Sequence, residues 1–352
     1  MGDYQAILSG HANEKAALYL NKLASGDRPG AFLSRQVGNE SFAEMSVEGL
    51  WEHLCRTKRP RIFAESEVAG DGSDWNLEEL SLLGDLNIVS EVTIFDNGLH
   101  KNPSVFSMPW QGFLFFTPGA LLRNGMNQAP ADWHELVHGG SIDANAYYDL
   151  YERRLLPIFS HADKLGQLRN KPVLITIPGL GCGQFAGPFQ GQLGVLLGET
   201  ITKLLQQHGR NFSNIDVVYY DPYGESRNQR HVVEGINFLV RPLTMGNEGK
   251  PQLCRPETYE ESGDAWANHL FCSLVAWDHV SWPGNDYYDG LRVTDDGVKA
   301  AATNVMTALT GVGGSYNLER NAYLPPQPYS TWGHLVESMR IQLKVRDQLL
   351  IY

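Results

Sequence analysis

One stretch, residues 172–208, limits the fold of this chain more than any other. It begins with the short apolar run 173–177, which is rich in β-branched residues and is stopped by Pro178, as is typical of a buried strand. Glycines then cluster, leucine and isoleucine recur at helical spacing, and a second apolar run follows at 215–220. Strand, loop, helix and strand predict a βαβ unit, and therefore an α/β fold.

The loop of this unit carries four closely spaced glycines, Gly179, Gly181, Gly183 and Gly187. Bare backbone N–H groups beside a helix N-terminus bind phosphate well, although a glycine-rich turn can equally serve packing alone. The spacing departs from the dinucleotide-binding pattern because Gly187 comes one position late, and no Gly-Lys-Ser/Thr closes the loop. Chemistry on nucleoside triphosphates is therefore not expected.

Composition excludes several classes of partner. The chain has 352 residues and a net charge of -12, which argues against nucleic acid or an anionic membrane as the main partner. No apolar run in the sequence approaches the roughly 20 residues of a membrane span. The four cysteines have neither zinc nor Cys-x-x-Cys spacing, so we expect reduced thiols and a cytoplasmic setting. We also expect no metal or other cofactor.

Strand and helix patterns alternate along the rest of the chain. Residues 1–65 have helical spacing, with a capping box expected at 41–44. Further strands are expected at 92–95, 112–117, 236–240 and 271–276, and further helices after Asp143, at 296–309 and around 335–350. This alternation predicts a largely parallel or mixed sheet, and ligands of such sheets bind beyond the carboxyl ends of the strands.

A second stretch of unusual composition, residues 276–297, overlaps the end of the strand expected at 271–276. It combines five aspartates with tryptophan and tyrosine neighbours, and it leads into a helix at the same edge of the sheet as the glycine loop. It can be interpreted as a solvated acidic turn in which Thr294 or Asp295 caps the helix. Clustered tryptophan and tyrosine are more typical of a binding surface.

Together the two stretches resemble the ligand loops of a macrodomain, the fold that binds ADP-ribose. The run Gly181-Cys182-Gly183-Gln184-Phe185 is similar to the loop that closes over the pyrophosphate, and the segment around Asp278 is similar to the loop that holds the ribose end. The two come in reversed order, as in a circular permutation. The spacing of Asp278, Asp286 and Asp296 looks like that of MavL-type macrodomain ADP-ribosylhydrolases, known best among effectors of intracellular bacterial pathogens.

The resemblance implies a macrodomain-like three-layer α/β/α domain with a mixed central sheet over residues 81–352, preceded by a helical N-terminal extension over residues 1–80. It implies ADP-ribose and an ADP-ribosylated protein as partners, in the cytoplasm or as a secreted effector in the host cytosol. The ligand-binding residues that it implies are Gly181, Cys182, Gly183, Gln184 and Phe185 for the pyrophosphate and distal ribose, Gly284, Asn285 and Tyr287 in the facing loop, Asp264 for the adenine amino group, and Tyr220 or Tyr223 for stacking on adenine. The glutamate pair of poly(ADP-ribose) glycohydrolases is not evident, so single ADP-ribose units are the expected substrate.

The same resemblance assigns catalysis to Asp278, Asp286 and Asp296. We expect them to surround the bond at C1 of the distal ribose, because its cleavage passes through an oxocarbenium-like state that needs negative charge and an activated water. The sequence leaves open which aspartate is the base. An arginine guanidinium is the implied leaving group, and an acidic cluster would also dock that cation.

Three alternatives stay open. A reader module would bind ADP-ribose without cleaving it. In a metal-assisted hydrolase, Asp278, Asp295 and Asp296 would hold Mg²⁺, although adjacent aspartates at a helix start are more typical of caps. A serine hydrolase would need a Gly-x-Ser-x-Gly elbow, which the sequence lacks, and Cys182 is better interpreted as a small loop residue than as a nucleophile.

Overall fold

The computed structural model describes residues 4–345 and 349–352 of the chain. Its strands, in chain order, are β1 (Tyr4–Leu8), β2 (Asn87–Asp96), β3 (Val105–Pro118), β4 (Val137–His138), β5 (Ser141–Ile142), β6 (Val173–Pro178), β7 (Ile215–Asp221), β8 (Gln229–Val233), β9 (Ile236–Val240), β10 (Leu270–Trp277), β11 (Ser315–Asn317), β12 (Ala322–Leu324) and β13 (Leu349–Ile351). Its helices are α1 (Gly10–Ala24), α2 (Ala31–Val37), α3 (Val47–Thr57), α4 (Ala64–Glu67), α5 (Leu77–Gly84), α6 (Trp133–Leu136), α7 (Ala144–Arg169), α8 (Leu193–His208), α9 (Asp295–Ala302), α10 (Val305–Thr310) and α11 (Trp332–Met339). Within this part of the chain, no helix is long and apolar enough to cross a membrane.

A nine-stranded mixed sheet forms the centre of the protein, in the order β13-β1-β2-β3-β10-β6-β7-β9-β8. Its five middle strands, from β3 to β9, are parallel, and Ile175 of β6 lies between Cys272 of β10 and Val218 of β7. The flanking strands β2 and β8 run antiparallel to them. The carboxyl ends of the five parallel strands therefore meet at one edge of the sheet, where α/β proteins bind ligands.

Helices cover both faces of the sheet. Every residue of β6 is buried, as expected for a parallel strand covered on two sides. On one face α7 and α8 pack on the sheet, with Tyr151 and Leu197 in the same apolar cluster as Ile175. On the other face Trp51 of α3 and Ala300 of α9 belong to a second cluster. The predicted three-layer α/β/α fold is confirmed.

Most predicted elements are confirmed, but one predicted helix cap is not. Asp143 caps α7 by accepting hydrogen bonds from the N–H groups of Asn145 and Ala146, and Pro157 lies inside this helix without ending it. The capping box expected at 41–44 is wrong. Those residues form a turn, and α3 begins after a different cap, the Ser46 hydroxyl.

The two ends of the chain differ more from expectation. Residues 4–8 form β1, which pairs with β2 inside the central sheet, so the segment expected to be a helical extension also supplies a strand to that sheet. The helix expected at 335–350 ends at Met339, and Leu349–Ile351 is a strand beside β1; residues 346–348 lie outside the described part. The helix expected at 296–309 is divided into α9 and α10.

Candidate functional site

A cleft of about 660 Å³ lies at the carboxyl edge of the parallel strands. Loops after β6, β7 and β10 supply three of its walls, and short segments at 63–65 and 98–100 close the remaining sides. Its carboxylates are Glu65, Asp221, Glu225, Asp278, Asp295 and Asp296. Among the described residues no lysine or arginine lines it, so a bound cation would meet negative charge.

The glycine loop after β6 is held by close backbone contact with the loop after β3. A Cβ on Gly119 would collide with the Gly181 nitrogen, and a Cβ on Gly181, whose φ is +72°, would lie 2.7 Å from the Ala120 nitrogen. Tyr151 of α7 joins the two loops, because its hydroxyl accepts from Ala120 N–H at 3.0 Å and donates to the Leu180 carbonyl at 2.7 Å. Only glycine fits where the loops touch.

Three consecutive backbone N–H groups at the cleft are free. Among the described residues, none accepts a hydrogen bond from the N–H of Gly183, Gln184 or Phe185, which lie at the start of the 3₁₀ turn Gln184–Phe189. The start of α8, in contrast, is occupied, because Glu225 accepts from the N–H groups of Gly191 and Gly194. The amides available for an anion are therefore those of the glycine loop, and the helix N-terminus expected beside them is already capped.

A cation lies beside these amides. Arg123 donates to the Gln184 side-chain oxygen at 2.5 Å. Burial raises the pKa of nearby Glu65, and the charge of Arg123 partly opposes that rise. Arg123 follows β3 and is exposed. The rim of the otherwise acidic cleft thus has one positive charge, next to the free N–H groups.

A buried ion network supports the loop after β3. Arg154 of α7 is fully buried, and it pairs with Asp132 at 2.9 Å and with Asp85 at 3.3 Å. Its guanidinium also donates to the Gly119 carbonyl at 3.0 Å. Asp132 in turn accepts from Leu121 N–H and pairs with the buried His279. The network ties the loop that supports Gly181 to the residue after Asp278.

Asp278 follows β10 and lines the cleft. Its carboxylate accepts from the N–H groups of Val280 at 2.8 Å and Ser281 at 2.5 Å, and from the Asn285 side chain at 3.3 Å. Burial raises its pKa above the ordinary value, whereas these N–H groups and the ammonium of buried Lys58 act in the opposite direction. The charged form of Asp278 is therefore supported by several donors.

Asp296, at the start of α9, is in a different environment. It lines the cleft, is 4 % exposed, and has one oxygen, Oδ1, that lies 2.7 Å from the Thr294 hydroxyl oxygen. Its other oxygen, Oδ2, is buried without a hydrogen-bond partner in the described part of the chain. Burial, together with neighbouring aspartates, raises the pKa of this carboxyl well above the ordinary value, which favours its protonated form.

Asp286, the third predicted catalytic residue, does not line the cleft. One oxygen accepts from the N–H groups of Val293 at 2.8 Å and Thr294 at 3.3 Å, and the other accepts from the Thr294 hydroxyl. It also lies against Gly297, where a Cβ would meet it at 1.9 Å. Asp286 thus fastens the loop to the start of α9 and thereby positions Asp296.

The adjacent Asp295 is paired. Its carboxylate accepts from Ala276 N–H at 2.8 Å and from Lys299 at 3.0 Å. Lys299 is fully buried and also donates to the Leu274 carbonyl, so it anchors α9 to β10. In residues 4–345 and 349–352 no group of three or more His, Cys, Asp or Glu side chains is arranged to hold a metal ion.

The remaining wall comes from the N-terminal part of the chain, which the sequence did not connect with the site. Phe63 and Glu65 line the cleft. Asn285 fixes this segment, because its side chain exchanges two hydrogen bonds with the Ile62 backbone and also donates to Asp278. Ladder-like bonds between Arg59 and the residues around Ser281 continue the contact.

The other predicted binding residues divide into two groups. Gly181, Cys182, Gly183, Gln184, Phe185, Asn285 and Tyr223 line the cleft, whereas Gly284, Tyr287, Tyr220 and Asp264 do not. Tyr220 is fully buried and donates to the Gly194 carbonyl, and Tyr287 is buried with its hydroxyl bound to Tyr323. Asp264 forms an ion pair with Arg230. Tyr223 is 67 % exposed, which leaves it as the available stacking tyrosine.

A comparison with models of known protein families gave a match for this chain. A family model described as "Macrodomain effector MavL" matches residues 4–329. The comparison with curated proteins gives no match. The matched region begins at β1 and includes every residue that lines the cleft, among them Phe63 and Glu65 from the N-terminal part.

Proposed function

Because this chain belongs to the macrodomain effector MavL family, we propose that it is an ADP-ribosylhydrolase. ADP-ribose would bind in the cleft, and a single ADP-ribose unit would be removed from an arginine side chain of a modified protein. Membership of this family is the basis for ADP-ribose binding or hydrolysis. Asp278 and Asp296 both line the cleft, close enough that the charge of Asp278 raises the pKa of Asp296, and this is the observation that favours hydrolysis over binding alone.

The free amides of the glycine loop supply the seat for the pyrophosphate. Gly183, Gln184 and Phe185 present three N–H groups without partners in the part of the chain that the structure describes, and such runs of amides bind phosphate oxygens. Arg123, beside Gln184, adds a positive charge at the same place. Tyr223 at the mouth of the cleft would stack on the adenine ring, and the distal ribose would then lie toward Asp278.

The two cleft aspartates have environments suited to opposite roles. Asp278, supported by N–H donors and by Lys58, is the carboxylate that accepts a proton from the attacking water. Asp296, whose pKa is raised by burial and whose oxygen Oδ2 has no partner in the described part of the chain, would donate a proton to the leaving group. Pairs of carboxyl groups whose environments separate their pKa values are typical of enzymes that break glycosidic bonds.

The proposed step is hydrolysis of the bond between C1 of the distal ribose and the guanidino nitrogen. The water oxygen forms a bond to C1 of the distal ribose while the bond from C1 to the guanidino nitrogen breaks, and the bonding pair goes to that nitrogen. The water proton passes to Asp278, and the Asp296 proton passes to the nitrogen. Exchange with solvent then restores both side chains, so the products are ADP-ribose and unmodified arginine.

A release assay tests the proposal. The protein is incubated with an arginine peptide carrying one ADP-ribose, and free ADP-ribose and unmodified peptide are measured by mass spectrometry with and without EDTA. We expect release that resists EDTA and that falls by ~10²–10⁴ in Asp278→Asn and Asp296→Asn, as for loss of a general base or acid. Binding of ADP-ribose without release from arginine-, serine- or glutamate-linked substrates would instead identify a reader module. Loss of release in EDTA would favour metal-assisted hydrolysis.

A further inference from the structure

The segment 62–67 brings one more carboxylate, Glu65, into the cleft. Glu65 belongs to the short helix α4 and lies on a different wall from the aspartates that follow β10 and begin α9. Its backbone is fixed on both sides, because its carbonyl accepts from Gly125 N–H at 2.8 Å and the neighbouring Glu67 side chain accepts from Phe63 N–H at 2.8 Å. The position of Glu65 is thus set by the fold.

The carboxylate of Glu65 is largely unused in the unbound protein. One oxygen, Oε2, is buried and has no hydrogen-bond partner among residues 4–345 and 349–352, and the other is 3.5 Å from the Ser66 hydroxyl. Burial raises the pKa of this carboxyl, and the charge of Asp278 raises it further. A cation placed between Glu65 and Asp278 would reverse that effect, because it would stabilise both charged forms.

The other carboxylates of the cleft have different tasks. Asp295 is paired with Lys299, and Glu225 caps α8. Asp221 accepts from two backbone N–H groups, and Asp278 and Asp296 carry the chemistry in the proposed function. Glu65 is therefore the cleft carboxylate left for a group beyond the ribose.

We propose that Glu65 is a specificity-determining residue that accepts a hydrogen bond from the guanidinium of the modified arginine. This inference rests on the proposed function, because it places the arginine at the Asp278 end of the cleft. The guanidinium of the modified arginine keeps four N–H donors and a positive charge, so a carboxylate on a second wall recognises it and orients its nitrogen toward C1. A neutral serine or a glutamate linkage would gain nothing from Glu65.

Agmatine, a small guanidinium compound, tests this contact without turnover. Its binding to ADP-ribose-saturated protein is measured by calorimetry. The comparison compound is N-carbamoylputrescine, which keeps the primary ammonium of agmatine but has a neutral urea group in place of the guanidinium. We expect agmatine to bind and the urea analogue to bind far more weakly. Glu65→Gln should weaken agmatine binding by a factor of ~10–100, the effect of one hydrogen bond to a charged group. Glu65→Asp should retain part of the affinity, and Glu44→Gln, an exposed change in the same part of the chain, should retain all of it.

The outcomes separate the two proposals. Equal agmatine affinity in wild type and Glu65→Gln, or no agmatine binding at all, would overturn the role of Glu65 even if ADP-ribose is released from arginine. If ADP-ribose itself does not bind, the proposed function fails, and the titration is repeated on unliganded protein, where loss of agmatine binding in Glu65→Gln would still support a guanidinium site. In the release assay, Glu65→Gln should raise KM for the arginine-linked peptide while the affinity for ADP-ribose stays within about twofold of wild type.

Discussion

The Asn285 side chain and the Ile62 backbone form two reciprocal hydrogen bonds across 223 positions of the sequence. The Ile62 N–H donates to Oδ1 of Asn285 at 3.1 Å, and Nδ2 of Asn285 donates to the Ile62 carbonyl at 2.9 Å. Because the same Nδ2 also reaches Asp278, one side chain connects the N-terminal wall of the cleft to a proposed catalytic residue. A change that loosens the N-terminal wall is therefore expected to disturb the loop that carries Asp278 as well.

Asn285→Ala should lower both stability and release activity. The change leaves the Ile62 N–H and carbonyl unpaired, and each lost bond of this kind costs about 1–3 kcal/mol when the group stays buried. Thermal unfolding should show a reduced Tm, and the release rate should fall more than the affinity for ADP-ribose. Asn268→Ala, at an exposed position, serves as the control and should change neither. An Asn285→Ala protein with wild-type release would contradict the connecting role.

Asp296→Asn should raise stability while it slows release. The pKa of Asp296 in the folded protein lies well above its ordinary value of 3.8, so the folded state holds the proton more tightly than the unfolded state does. Stability contributed by this carboxyl is therefore lost as pH rises above about 3.8, and the variant, which cannot ionise, avoids that loss. We expect a Tm above that of wild type at pH 7 and a shrinking difference toward pH 4. A lower Tm at pH 7 would refute this reading of the site.

Asp132→Asn should have the opposite effect. Burial raises the pKa of Asp132, but the larger combined influence of Arg154 and His279 holds it below its ordinary value of 3.8. Its stabilisation is therefore present above pH 3.8 and is lost as pH falls below that value. Removing the charge leaves Arg154 partly uncompensated in the interior, which costs about 3–5 kcal/mol. Chemical denaturation at pH 7 measures this cost, and a loss below about 1 kcal/mol would show that the network is dispensable.

Cys182→Ala should release ADP-ribose at the wild-type rate. The Cys182 thiol is buried against the Leu180 carbonyl, and burial raises its pKa, so it stays protonated and is a poor nucleophile. Iodoacetamide should accordingly leave activity unchanged over the time in which an exposed thiol reacts. Loss of release in Cys182→Ala with unchanged ADP-ribose affinity would instead favour a cysteine hydrolase.

The fold was largely predictable because its central strands have strong local signals. The apolar runs at 173–177 and 215–220 became neighbouring parallel strands, β6 and β7. The local sequence pattern did not predict those elements whose conformation depends on residues distant in the sequence. β1 is a strand because it pairs with β2. The helix predicted at 296–309 is interrupted at Asn304, whose side-chain oxygen accepts a hydrogen bond from the N–H of Thr93 in β2 at 2.7 Å.

The candidate site was predictable in its loops but not in the task of each side chain. Sequence placed three aspartates in one acidic loop, yet it did not indicate that backbone groups and Thr294 occupy both oxygens of Asp286 while an oxygen of Asp296 stays free. Glu65 was missed because it lies more than 200 positions before Asp278 and carries no motif. The short acidic helix that bears it resembles a solvated surface turn.

We expect the cleft to bind ADP-ribose through the glycine loop, and calorimetric titration with ADP-ribose measures this binding. A Cβ on Gly183 would meet nothing within 4 Å, so Gly183→Glu should fold and place a negative charge beside the pyrophosphate seat. We predict micromolar-range binding by wild type, weakened by a factor of roughly 100 or more in Gly183→Glu, because opposed like charges cost several kcal/mol. Gly313→Glu, which also has open space, should bind as wild type does. Absence of binding by wild type, or equal binding by Gly183→Glu, would contradict the account.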